Sequence, residues 1–155
     1  MIRIRKVEPE EADEMTRIAM AAKAYWGYPD HWMEIWAPQL TFSPEYFGEN
    51  ESWVADVDGL PVAFYTLQEK DGNGWIENLW VLPDYIGKGI GKRLFLHAAD
   101  RSRLKGHLIL QLEADPNALG FYEKMGMRRI DERKSEIHGR SRILPVMGIE
   151  LRELD

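Results

Sequence analysis

Apolar and basic residues alternate from Ile2 to Val7, the period of a strand with one face buried. Pro9 then opens an acidic turn, E-P-E-E, which suits the positive end of a helix dipole. Behind it Ala12, Met15, Ile18, Ala19, Ala22 and Tyr25 recur at three- and four-residue spacings. They predict a helix with one apolar face, ended by Gly27 and Pro29. The next segment, A-Y-W-G-Y-P-D-H-W-M-E-I-W, is crowded with aromatics and predicts a second short helix from Asp30 to about Trp36. From Trp53 the period becomes two. W-V-A-D-V, a D-G turn, P-V-A-F-Y-T-L-Q, a D-G-N-G turn and W-I-E-N-L-W-V-L read as an antiparallel meander. Ile90, Leu94 and Ala98 then mark a helix to about Lys105, stopped by Gly106. A buried strand L-I-L-Q-L follows, then a helix from Pro116 through A-L-G-F-Y-E-K-M to Gly126. Two strands, Met127 to Ile137 and Arg142 to Leu151, flank the turn H-G-R-S. The order predicts a mixed α/β sheet with helices on its faces.

Composition narrows this picture. A chain of 155 residues, 45% hydrophobic, can bury a core of its own, and no repeat or low-complexity linker divides it, so residues 1–155 are expected to form a single domain. A formal net charge of -6 argues against binding nucleic acid through phosphates and favours a cationic small molecule as partner. With no cysteine, disulfides, cysteine zinc sites and a thiolate nucleophile are excluded. The first residues lack a signal-peptide apolar core, and no run approaches the ~18 apolar residues of a membrane span. A cytoplasmic protein with no membrane partner is the expectation. His31, His97, His107 and His138 are scattered without metal-ligand spacing, so no metal is expected.

The chemistry concentrates in V-L-P-D-Y-I-G-K-G-I-G-K-R-L, Val81 to Leu94. Gly87, Gly89 and Gly91 lie between a strand and a helix start, where unpaired N–H groups and the dipole favour an anion. Missing β-carbons would let that anion approach the backbone. A P-loop would need Gly-Lys followed by Ser or Thr, but Lys88 precedes Gly89 and Lys92 precedes Arg93. A dinucleotide fingerprint counted from Gly87 and Gly89 would need glycine where Lys92 stands.

The stretch resembles the acyl-CoA pyrophosphate loop of the GNAT superfamily of N-acetyltransferases, Gln/Arg-x-x-Gly-x-Gly/Ala after a strand ending in Val-x-Pro. Ile86 departs from it at the Gln/Arg position. Downstream, D-P-N-A-L-G-F-Y-E-K-M-G-M, Asp115 to Met127, resembles the superfamily's Asn-x-x-Ala-x-x-Phe-Tyr-x-x-x-Gly-Phe segment. The resemblance covers nearly the whole chain. It implies a GNAT-like, mostly antiparallel sheet of about six to seven strands flanked by about four helices, with acetyl-CoA as co-substrate. It also implies cofactor contacts from Leu79, Trp80 and Val81, from Gly87, Lys88, Gly89, Ile90, Gly91 and Lys92, and from Tyr122, with Asn117 or Asp115 reaching the pantetheine arm. Many relatives are dimers, and the C-terminal strands would pair across such an interface.

Acetyl transfer to an amine needs a neutral amine, a polarised carbonyl and stabilisation of the departing thiolate. Without cysteine, direct attack of the amine in a ternary complex is expected. By resemblance, Tyr122 is the acid candidate, since the matching tyrosine points its hydroxyl at the sulfur. Glu77 is the base candidate, with Glu113 as its rival. Trp26, Tyr28 and Trp32 are the candidate acceptor contacts, because the first two helices wall that site in the family and aromatic faces hold cations. The acceptor expected is a primary amine of a small molecule, with a protein N-terminus or lysine as the alternative. A non-catalytic acyl-CoA-binding module is the rival from another class; it would need the glycines but neither Tyr122 nor Glu77.

Overall fold

The computed structural model describes residues 1–154. Its strands are β1 (Ile2–Lys6), β2 (Glu51–Val57), β3 (Leu60–Lys70), β4 (Asn73–Val81), β5 (Ile109–Glu113), β6 (Arg128–Ile137) and β7 (Arg140–Glu150). The helices are α1 (Ala12–Ala24), α2 (Asp30–Trp36), α3 (Pro44–Glu49), α4 (Ile90–Leu104) and α5 (Leu119–Lys124). The strands hydrogen-bond in the order β1-β2-β3-β4-β5-β7-β6, which makes the mixed seven-stranded sheet that the residue pattern predicts. β4 and β5 pair in parallel, whereas β1–β2, β2–β3, β5–β7 and β6–β7 pair antiparallel. The chain divides into two compact units, and β3 and β4 each supply residues to both.

The first unit is Met1–Leu67 with Asn78–His97. Here β1, β2 and β3 pair antiparallel, and α1 turns Ala12, Met15, Ile18, Ala19 and Ala22 into a core with Phe42, Phe47, Val54 and Phe64. Tyr25 does not continue that face; it is 53% exposed, because α1 ends at Ala24 and Gly27, at φ +77°, turns the chain. Helix α3 is absent from the sequence expectation although its start is marked. Ser43 caps it by accepting from the Tyr46 amide, and Pro44 occupies the first turn. Arg5 grips Glu11 through two nitrogens at 2.7 and 2.8 Å and reaches Asp56 at 2.7 Å, which ties the entry of α1 to the sheet.

The second unit is Gln68–Glu77 with the chain from Ala98 onward. Residues Gly74–Ile76 of β4 pair in parallel with Leu110–Leu112 of β5, and β5, β7 and β6 pair antiparallel. Leu110, Leu112, Met127, Met147 and Leu151 are buried. The strand after α4 starts at Ile109, leaving Leu108 exposed rather than buried. Three hairpins across the chain use two-residue turns with both residues at positive φ: Asp58-Gly59, Asp71-Gly72 and His138-Gly139. That geometry matches strand twist. It also makes the expected D-G-N-G and H-G-R-S turns too long: Asn73 and Gly74 already belong to β4, and Arg140 and Ser141 to β7.

Candidate functional site

In the first unit the loop after β4 is built from backbone. Leu82 N–H donates to Val62 O at 2.8 Å, Pro83–Tyr85 make one 3₁₀ turn, and the chain reaches α4 through Ile86-Gly87-Lys88-Gly89. Gly87 and Gly89 have φ of +82° and +81°, and a β-carbon at either would meet no protein atom within 4 Å. Gly89 O accepts from Arg93 N–H at 3.1 Å, so Gly89 stands at the N-cap and Ile90 begins the helix. The amides of the first turn have no partner within the helix, and no acidic side chain occupies that turn. Gly91 is its second residue and Lys92 its third. Lys88 lies over the Tyr85 ring, 5.2 Å from its centroid, and Ile86 is exposed.

Leu79, Trp80 and Val81 are half-buried on the last part of β4. Between them and the core runs a polar network that sequence reasoning missed. Buried Asn78 donates to Tyr46 Oη at 2.9 Å and Thr66 Oγ1 at 3.2 Å, and accepts from Trp80 Nε1 at 3.1 Å; Thr66 in turn meets Ser52. A lone asparagine in an apolar strand was the available signal, since a buried amide must find partners.

The expected acceptor aromatics lie on the same unit, at its surface. Tyr28, Trp32 and Trp36 contact one another, and Lys23 Nζ lies over two of the rings. Trp26 stands apart with Tyr25, edge-on at 5.2 Å.

The second unit carries the titratable candidates. Tyr122 on α5 is buried. Burial first, and the charge of Asp115 second, push its phenol well above the ordinary tyrosine range. Glu77 is 41% exposed; it accepts from Trp75 Nε1 at 3.0 Å and pairs with Lys70 at 3.8 Å. Glu113 pairs with Arg133 at 3.1 Å. Asp115 caps the turn before α5, accepting from both the backbone and the side-chain amide of Asn117 at 2.9 and 3.1 Å.

The glycine-opened helix start after one strand, and the buried tyrosine on the short helix after the next, are the two segments on which the resemblance to N-acetyltransferases rests. Residues 12–127 match the model of the acetyltransferase (GNAT) family, and the chain belongs to that family. It is 28% identical to the peptidyl-lysine N-acetyltransferase YjaB of Salmonella typhimurium over 96% of this chain and 97% of that one. It is 42% identical to glucosamine 6-phosphate N-acetyltransferase of Trypanosoma brucei brucei over 36% of this chain, a match spanning only 37% of that enzyme's length. Its fold is similar to that of the PaiA N-acetyltransferase from Thermoplasma acidophilum solved with coenzyme A. That match has a TM-score of 0.81 at 22% identity, over 97% of this chain and 99% of that one.

Proposed function

We propose that this chain moves the acetyl group of acetyl-CoA to a primary amine of a small molecule. The open space over Gly87 and Gly89 at the start of α4 carries this reading, because a β-carbon at either position would fill it. The amides from Gly87 to Lys92 hold the pyrophosphate, with Lys88 and Lys92 adding charge. Backbone groups of Leu79, Trp80 and Val81 bind the pantetheine arm and the acetyl carbonyl, on a strand that continues past its last pair with β5, Ile76↔Leu112. Asn117, oriented by Asp115, makes a further contact to that arm.

Acetyl-CoA supplies an activated thioester. Glu77, held in place by Trp75, takes one proton from the bound ammonium. The neutral amine then bonds to the acetyl carbon as the carbon–sulfur bond breaks, and the second proton lost from nitrogen passes to the departing thiolate to give the amide and free thiol. Tyr122 keeps its proton at working pH and donates a hydrogen bond to the leaving sulfur. A thiol's pKa of about 8.5 lies below that of a buried phenol, so stabilising the thiolate costs less than protonating it outright.

A protein lysine is the second reading for the acceptor, favoured by the likeness to YjaB over 97% of that protein. Calorimetric titration with coenzyme A, followed by thiol-release assays over a panel of amines and a blocked lysine peptide, tests both readings. Tight binding with no thiol release for any acceptor would overturn the enzymatic one.

A further inference from the structure

Helix α2 buries none of its residues, yet it carries Trp32 and Trp36 one turn apart, so both indoles emerge on one side. Tyr28 closes the group, stacked on Trp32 at 5.8 Å between centroids and edge-on to Trp36 at 4.8 Å. An ammonium already sits against these rings: Lys23 Nζ, from the last turn of α1, lies 4.2 Å from the centroid of Trp36 and 4.9 Å from that of Tyr28. Both distances are within cation–π range. The tail of a lysine is a butylammonium ion, so the faces of Trp36 and Tyr28 already hold one alkylammonium, that of the chain's own Lys23.

We propose that the cage binds one ammonium of a small acceptor with at least two amino groups on an alkyl chain, and that Lys23 fills it until that acceptor arrives. The inference rests on the acetyltransferase reading and adds the acceptor's chemistry. A ring face stabilises the charged form of an amine, and a charged amine has no lone pair with which to attack a thioester. An acceptor whose only amine entered the cage would therefore be inert; a second amino group outside it must react. The charge of the molecule suits a dication, since the whole chain carries a net charge of -6. Lys23 is tethered beside the rings and competes at high effective concentration. Removing it should strengthen binding of the free ligand about 2- to 5-fold, the size of a cation–π contact at a surface site.

The test titrates the full chain with butylammonium, 1,4-diaminobutane and neutral butanol, following the indole N–H signals of Trp32 and Trp36 by NMR. Both amines should shift both indoles and butanol neither; Lys23→Met should tighten the amines about 2- to 5-fold, and Tyr28→Leu should weaken them. Should Tyr28→Leu fail to fold, Lys23→Met decides alone. Silent indoles, an equal response to butanol, or unchanged affinity in Lys23→Met would overturn the proposal. In thiol release, the KM for 1,4-diaminobutane should fall in Lys23→Met and rise in Tyr28→Leu, with butylamine a poor acceptor throughout. Turnover of a blocked lysine peptide alone, with a KM indifferent to both variants, would sink the diamine proposal and leave the acetyltransferase reading intact. Diamine binding at the indoles without turnover of any amine would uphold the cage and remove the acetyltransferase reading.

Discussion

Replacing Gly89 by alanine adds one methyl group at a φ of +81°, where no protein atom lies within 4 Å. The folded chain suffers no collision, so the cost to stability is that of holding an L-residue in the left-handed region, about 1–2 kcal/mol. Gly139, in the β6–β7 turn, has a φ of +72° and equally open surroundings, which makes Gly139→Ala the matched control. For a chain of this length both variants should lose about 2–8 °C in Tm. They should part on adding coenzyme A. If the space over Gly89 is where a pyrophosphate approaches the amides, the methyl group displaces it and one charge-assisted hydrogen bond is lost, worth about 1.5–3 kcal/mol. That corresponds to a Kd weakened about 10- to 150-fold in Gly89→Ala and unchanged in Gly139→Ala. Thermal unfolding by circular dichroism gives the first quantity and calorimetric titration the second. If Gly89→Ala lost the same stability as Gly139→Ala and bound coenzyme A as the parent does, the glycines would serve the turn alone and the cradle assignment would fall.

Four further outcomes follow from particular contacts. Tyr122→Phe should lower kcat about 100-fold in the thiol-release assay with coenzyme A affinity unchanged. Because burial holds this phenol above its ordinary value of 10.0, the parent should show no loss of rate at that pH traceable to the tyrosine. Glu77→Gln should lower kcat to a similar degree, while urea unfolding moves by less than about 1 kcal/mol, the worth of an exposed pair such as that with Lys70. Hydrogen bonds from Arg5 hold the Glu11 carboxyl below its usual 4.5, against the opposing effect of burial. The folded state thus binds fewer protons there, so this stabilisation is present above about pH 4.5 and is lost as pH falls through the depressed value. Glu11→Gln should flatten that acid-side fall in the urea midpoint. Gly74→Ala should cost about 1–3 kcal/mol, since its β-carbon would collide with the hydroxyl of buried Ser102, and equilibrium unfolding measures it.

What the residue pattern makes legible is what short stretches of chain decide alone. The bounds of α2, the Asp-Gly turns and the glycine loop were readable because each depends on neighbours a few positions apart. The place and conformation of the loop were the clearest, since glycine spacing between a strand and a helix start is all the sequence must supply for Gly87 and Gly89 to take positive φ there. Contacts made across distance were not readable. Ser102 meets His107 at 2.7 Å, and His107 meets Glu69 at 2.8 Å, a residue 38 positions away; nothing near Gly74 announces that this hydroxyl needs the glycine's empty side. The same holds for Asn78, whose partners Tyr46 and Thr66 come from other elements. Glu77 illustrates a different limit. Its strand position was plain, and Trp75 lies two residues away on the same strand, but the pairing with Lys70 appears only once β3 and β4 are folded against each other.

The aromatic stretch from Tyr25 to Trp36 shows why composition cannot say which way a ring faces. An amphipathic pattern separates core from surface when apolar and polar residues alternate with the period of the element, and here nearly every turn of chain offers a ring. The end of α1 sends Tyr25 and Trp26 outward as an edge-on pair. The phase of α2 groups Trp32 and Trp36 with Tyr28. Trp36 also packs against the core, which fixes one wall of the group, while Lys23 fills the other side with its ammonium. Rings grouped at a surface and facing a cation contribute less to stability than rings buried whole, because part of their apolar area stays in water. Three rings held there leave apolar area in water that a core position would have buried, and the contact of Lys23 with Trp36 and Tyr28 is the observation on which the proposed diamine site rests.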